Sequence, residues 1–188
     1  MSGSPRDPAE TALAQVQQLG YDASDVKHIA LTHFHFDHAG GARELQELTG
    51  AKIVMHEKDR PNLENSVFHW PQGVTAWGRI SRALFKPLLK KKVAFPPAKV
   101  DIVLDDLGLS LEEYGIRGKV LYTPGHTDGS VSVVLDSGEA FIGCLAHNRL
   151  PFVLKPGLPI YAKNVEMIKK SWKTVMDHGA HTIYPGHG

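Results

Sequence analysis

The sequence is short of cysteine, of long apolar runs and of any surplus of one charge. Cys144 is the one cysteine among 188 residues. No internal disulfide can form, so the small stapled secreted folds are excluded and a reducing, cytoplasmic setting is expected. Apolar runs such as residues 131–135 fall far short of the ~20 residues that a membrane-crossing helix needs. Residues 1–10 are polar and hold no apolar core, so no signal peptide is expected there. The 21 Lys and Arg nearly cancel the 20 Asp and Glu, for a formal charge of +1. Without a basic stripe, neither nucleic acid nor an anionic membrane is an expected partner. Length and an ordinary apolar share of 42% leave one globular domain, residues 1–188, with chain enough for a real core. The excess is in histidine, of which there are 11.

Along the chain, Asp7, Pro8 and Glu10 read as the N-cap, first helical residue and capping-box partner of a helix that Gly20 stops. A β-like run at 28–32 feeds a histidine-rich segment, Gly40 and Gly41 open a helix over 42–48, and 52–55 is again a strand. That alternation belongs to an α/β layer. Residues 61–98 break it with five prolines, Trp70, Trp77 and the run Lys90-Lys91-Lys92, leaving one amphipathic helix over 79–89. This stretch reads as a lid-like insertion over a cleft, and its basic run as a solvated helix face rather than a site for an acidic group. Strands are expected at 101–104, 109–113, 119–122, 131–135 and 140–142, then a helix over 164–178 and a last strand at 182–184.

The chemistry concentrates in Thr32-His33-Phe34-His35-Phe36-Asp37-His38-Ala39-Gly40-Gly41. Each imidazole brings ring nitrogens that need partners, which makes such a cluster poor core material. A chance cluster on a wet loop would leave the rest of the chain without matching donors. A loop at a strand end can aim His33 and His35 to one side and Asp37 and His38 to the other, seeding two metal sites. Two later segments, Thr123-Pro124-Gly125-His126 and Tyr184-Pro185-Gly186-His187, each run strand, Pro-Gly turn, histidine. The turn stops the strand and presents the imidazole at its end, so His126 and His187 complete the set.

The pattern resembles the metallo-β-lactamase superfamily, which includes glyoxalase II, lactonases and β-lactamases. Its HxHxDH motif is matched in full by His33, His35, Asp37 and His38, its single-His motif by His126 after Thr-Pro-Gly, and its closing motif by His187 after Tyr-Pro-Gly. The resemblance implies an α/β (α+β) fold, a four-layer αββα sandwich with a dinuclear site at one edge. It implies two Zn²⁺ per chain, with Fe²⁺ or Mn²⁺ as alternatives. One ion falls to His33, His35 and His126, the other to Asp37, His38, His187 and Cys144. Cys144 stands where the family usually carries a bridging Asp; a thiolate binds zinc well, and the other fate of a lone cysteine is a small buried hydrophobe. Family members usually have strands before the first helix. The resemblance therefore implies a fold truncated at its N-terminus, with a bare sheet edge through which copies can pair into a homo-oligomer.

The implied chemistry is hydrolysis of an ester, thioester, lactone or amide in a small-molecule substrate by metal-bound hydroxide, with Asp37 as the catalytic carboxylate that orients it. His147, Asn148 and Tyr161 are the expected substrate contacts, and Trp70 and Trp77 are candidates for an apolar lid. Two alternatives stay open. One is an iron-dependent redox member of dioxygenase type, whose first-metal ligands are the same. The other is a catalytically decayed metal-binding domain, with Cys144 as the mark of decay.

Overall fold

A computed structural model of the protein describes residues 8–67, 69–89, 95–149 and 155–188. Asp7 and the run Lys90 to Lys92 lie outside them. The chain order is α1 (Pro8–Gln18), β1 (His28–Ala30), α2 (Phe36–Ala39), α3 (Ala42–Thr49), β2 (Lys52–His56), α4 (Arg60–Glu64), β3 (Gln72–Gly73) and α5 (Ala76–Leu89). It continues with β4 (Ile102–Leu104), β5 (Leu109–Ser110), β6 (Gly118–Tyr122), β7 (Val131–Leu135), β8 (Glu139–Gly143), β9 (Tyr161–Ala162), α6 (Val165–Asp177) and β10 (Thr182–Pro185). Pro8 opens α1, Gly50 closes α3 in the left-handed conformation, and Asn164 caps α6 by accepting from the Met167 amide at 3.1 Å.

Two sheets form. One is a parallel β1-β2-β4 sheet, the other a mixed β10-β8-β7-β6-β5 sheet in which β10 and β8 run parallel and the remaining pairs antiparallel. Strand alternation then sorts the apolar side chains into three layers. Ile53 and Met55 of β2 pack with Ala42 of α3 and Leu63 of α4 on one face. Val54, between them, turns the other way onto Leu104, Val120 and Val131, joining the sheets. Leu121, Val134, Ala140 and Ile142 face Ile168 and Val175 of α6. Helix, sheet, sheet, helix is the four-layer sandwich.

Three differences from the sequence reading have local causes. The 109–113 strand ends at Ser110, because Glu112–Tyr114 turns as a 3-10 helix that left-handed Gly115 closes. Residues 61–98 are not a lid throughout: Leu63, Phe95 and Ala98 are buried in the first core, since the two ends of the stretch must rejoin the sheet layer. The middle of it pairs β3 antiparallel with β9, Gln72 opposite Ala162, so residues 161–162 are strand rather than loop.

Candidate metal centre

Parallel pairing decides where the histidines meet. β6, β8 and β10 all point the same way, since β7 is antiparallel to both β6 and β8 while β10 is parallel to β8. The segments after their C-terminal ends carry His126, Cys144 and His187 to one end of the sheet. The segment after β1 brings His33, His35, Asp37 and His38 to the same place, the last two on the one-turn helix α2. Carboxyl ends of strands are where α/β sheets gather ligands. Gly125 takes φ +134°, and a β-carbon there would fall 2.6 Å from the Ile168 amide nitrogen. Only glycine lets the His126 turn lie against α6.

Three overlapping donor groups result: His33, His35 and His126; Asp37, His38 and His187; and His33, His38 and Cys144. His126 Nε2 lies 2.9 Å from His35 Nδ1. His38 Nε2 lies 3.0 Å from both His187 Nε2 and Cys144 Sγ, and His187 Nε2 is 3.2 Å from Asp37 Oδ2. Zinc with nitrogen donors at ~2.0–2.1 Å in a tetrahedron holds them ~3.3 Å apart, close to this spacing. The His126 Nδ1–H donates to the Tyr161 carbonyl at 2.9 Å, which fixes the tautomer and leaves Nε2 with its lone pair facing inward. His33 Nε2 is buried with no hydrogen-bond partner among the described residues, which a bound cation would answer.

Electrostatics point the same way. Burial, reinforced by the neighbouring imidazoles, holds His33 well below the usual histidine range and His35 at about 3. Burial likewise takes His126 to about 4 and lowers His38. These imidazoles are neutral at physiological pH and keep their lone pairs for a metal. Burial acts to raise Asp37, but the hydrogen bond from His187 and the field of His38 win and hold it at about 2. Burial, then the charge of Asp37, pushes the Cys144 thiol up; a metal beside it reverses that balance. The donor set fits divalent-metal binding.

His35, Asp37, His126, Cys144 and His187 floor a cavity of about 330 Å³ whose walls include Phe36, Trp70, Pro71, Phe85, Pro159 and Tyr161. His147 also lines it, with its Nδ1–H given to the Asn148 carbonyl. Tyr161 is held there by the Ser81 hydroxyl at 2.6 Å. Asn148 is exposed instead, and its amide donates to the His187 carbonyl at 3.0 Å, so it supports a ligand segment through its backbone. Trp77, on α5, is not among the cavity residues, whereas Trp70 and Phe85 of the insertion are.

Asp59 went unread in the sequence. It follows β2, is almost fully buried, and accepts from Thr127 Oγ1 at 2.6 Å, the Gly129 amide at 3.0 Å and the Phe34 amide. An acidic residue just past a strand gives no signal of such a role. Burial outweighs these hydrogen bonds and raises its pKa from 3.8 to about 6. The folded state thus binds the proton more tightly than the unfolded chain does. Asp59 contributes stability below pH 3.8 that is lost as pH rises through 6. Two units correspond to roughly 3 kcal/mol. Urea unfolding of the metal-free protein and its Asp59→Asn variant should show the wild-type free energy falling relative to the variant between about pH 4 and 7. Parallel curves would contradict this.

Comparison with known proteins agrees with the site. The family model of the metallo-beta-lactamase superfamily matches residues 2–187. A probable metallo-hydrolase of Mycobacterium bovis is 30% identical, over 90% of this chain and 55% of its own length. The hydroxyacylglutathione hydrolase of Maricaulis maris is 29% identical over 72% of this chain and 38% of its own. The chain thus spans about half the length, or less, of these curated relatives. Among solved structures, the metallo-beta-lactamase of Cronobacter sakazakii superposes with a TM-score of 0.63 at 22% identity, covering 95% of this chain and 65% of that one. A protein crystallised in a di-iron-bound form reaches 0.58 at 25% identity, covering 98% and 79%.

Proposed function

Because the chain belongs to the metallo-beta-lactamase superfamily, we propose that it is a dinuclear zinc hydrolase acting on an ester, thioester, lactone or amide bond of a small substrate. The observation that carries this reading is the meeting of seven donor side chains from four separate stretches of chain, five of which, His35, Asp37, His126, Cys144 and His187, line one cavity. Two bound ions there supply a water of lowered pKa and an electrophile for the carbonyl oxygen. His33, His35 and His126 would hold one ion; Asp37, His38, His187 and Cys144 the other. The thiolate favours zinc, since soft sulfur suits zinc better than manganese.

The remaining steps belong to the chain's own residues. The Asp37 carboxylate stays ionised well below neutral pH, so an oxygen not given to an ion could orient a nucleophile beside it. His147 and Tyr161 lie at the cavity wall within reach of a bound substrate. Around them Phe36, Trp70 and Phe85 give the cavity apolar walls, which would favour an apolar acyl side. Among the described residues no helix is long and apolar enough to cross a membrane.

Elemental analysis of protein purified from zinc-supplemented cells should find two zinc ions per chain. Exhaustive chelation should abolish hydrolysis, and zinc should restore it. Full activity after chelation would end the reading. One iron per chain with oxygen uptake would replace it by the dioxygenase alternative.

A further inference from the structure

The two loops that supply the first donor group come from different sheets. His33 and His35 follow β1 of the parallel sheet, and His126 follows β6 of the mixed sheet. Something must hold the loops at a fixed separation, because the spacing of His35 and His126 decides whether an ion fits between them. Asp59 lies at the third corner, after β2. The Phe34 amide, between His33 and His35, donates to its carboxylate. So do the hydroxyl of Thr127, next to His126, and the amide of Gly129 in the same loop.

We propose that Asp59 is a positioning residue, a clamp whose buried carboxylate ties the two ligand loops together and sets the opening of the His33, His35 and His126 group for a metal ion. The proposal rests on the reading that these imidazoles hold a divalent ion. Its fit is close. A β-carbon on Gly129 would fall 2.7 Å from the Asp59 amide nitrogen and 2.8 Å from its carboxyl carbon, so the loop is pressed onto the carboxylate with no room between. Two backbone amides and a hydroxyl converge on the group. A carboxylate accepts from all three on two oxygens, whereas an amide has one acceptor oxygen and keeps the Thr127 bond only if that hydroxyl turns round to accept. Supporting bonds of this kind, one step behind the ligands, commonly change metal affinity about 10–100-fold.

The test compares zinc affinity by chelator competition, and the cobalt-substituted visible spectrum, in the full chain and in Asp59→Asn. The clamp predicts that one of two binding steps weakens about 10–100-fold, with an altered cobalt d–d band and a loss in kcat rather than a rise in KM. Thr127→Val, which removes one of the three bonds, should show a smaller change in the same direction and keeps the test available if Asp59→Asn does not fold. A purely structural Asp59 would lower the melting temperature alone. Folded variants with wild-type zinc affinity and an unchanged cobalt spectrum would overturn the clamp. Wild-type protein that binds no zinc at all would overturn the metal reading, and this one with it.

Discussion

Changing His126 to alanine should remove one metal equivalent per chain and lower hydrolysis by about a thousandfold or more. The magnitude reflects what the site loses. A metal that polarises a carbonyl oxygen is worth several kcal/mol of transition-state stabilisation, and each ~1.4 kcal/mol is tenfold in rate. Two geometric features make the proposed group depend on His126. Its Nε2 faces His35 Nδ1 at 2.9 Å, and among the described residues no other donor groups with both His33 and His35. Its Nδ1–H also satisfies the Tyr161 carbonyl, which ties the ligand to β9 and through it to the cavity wall. Elemental analysis and initial rates on one preparation check the two halves of the claim together. A variant that keeps two metal ions and stays within tenfold of wild type would show that His126 is no ligand.

Removing the thiol at Cys144 should cost the second ion. Sγ lies 3.0 Å from His38 Nε2, and its donor group also includes His33, so it stands between the two triads. Loss of a bond one step behind a ligand already weakens binding about 10–100-fold, and losing the ligand itself should cost about a hundredfold or more. Cys144→Ala is therefore expected to hold one zinc ion tightly and the second weakly, with hydrolysis reduced in proportion to occupancy. Cobalt titration reads this directly, because thiolate-to-cobalt charge transfer disappears with the sulfur. Cys144→Asp separates a working thiolate from a decayed site. A hard carboxylate shifts the preference from zinc towards manganese, so a working thiolate predicts lower activity with zinc. Activity raised above wild type by Cys144→Asp would instead identify the native chain as an impaired enzyme, as would Cys144→Ala with two tightly held ions.

Much of this was legible in the sequence, for a physical reason. The groups His33, His35, Asp37 and His38 lie within six residues, and at that range chain connectivity alone brings donors together. The Pro-Gly-His repeats work similarly, since the prolines have few backbone choices and the glycines accept the turn that other residues resist. β2, β6, β7 and β8 were legible to within a residue or so of their ends, because a short apolar run bounded by glycine or turn residues is what a strand buried between two layers leaves in the sequence. The one-turn helix α2 was not legible: four residues are too few for a helical period to register. Nor was the β3–β9 ribbon, each strand of which is two residues long and far from the other in the chain.

Cys144 and Asp59 mark the boundary. Nothing near Cys144 in the chain distinguishes a ligand from a buried hydrophobe, and its 3.0 Å approach to His38 arises from the parallel pairing of β8 and β10 together with the stacking of the two sheets. Asp59 has partners at 34, 127 and 129, which meet only when β1, β2 and β6 end side by side. The amino-acid sequence determined by itself which donors exist and which elements carry them, since those depend on residue chemistry and local backbone preference. The tertiary structure decided which donors stand together and which carboxylate lies behind them, because both depend on strand order and layer packing between residues far apart in the chain.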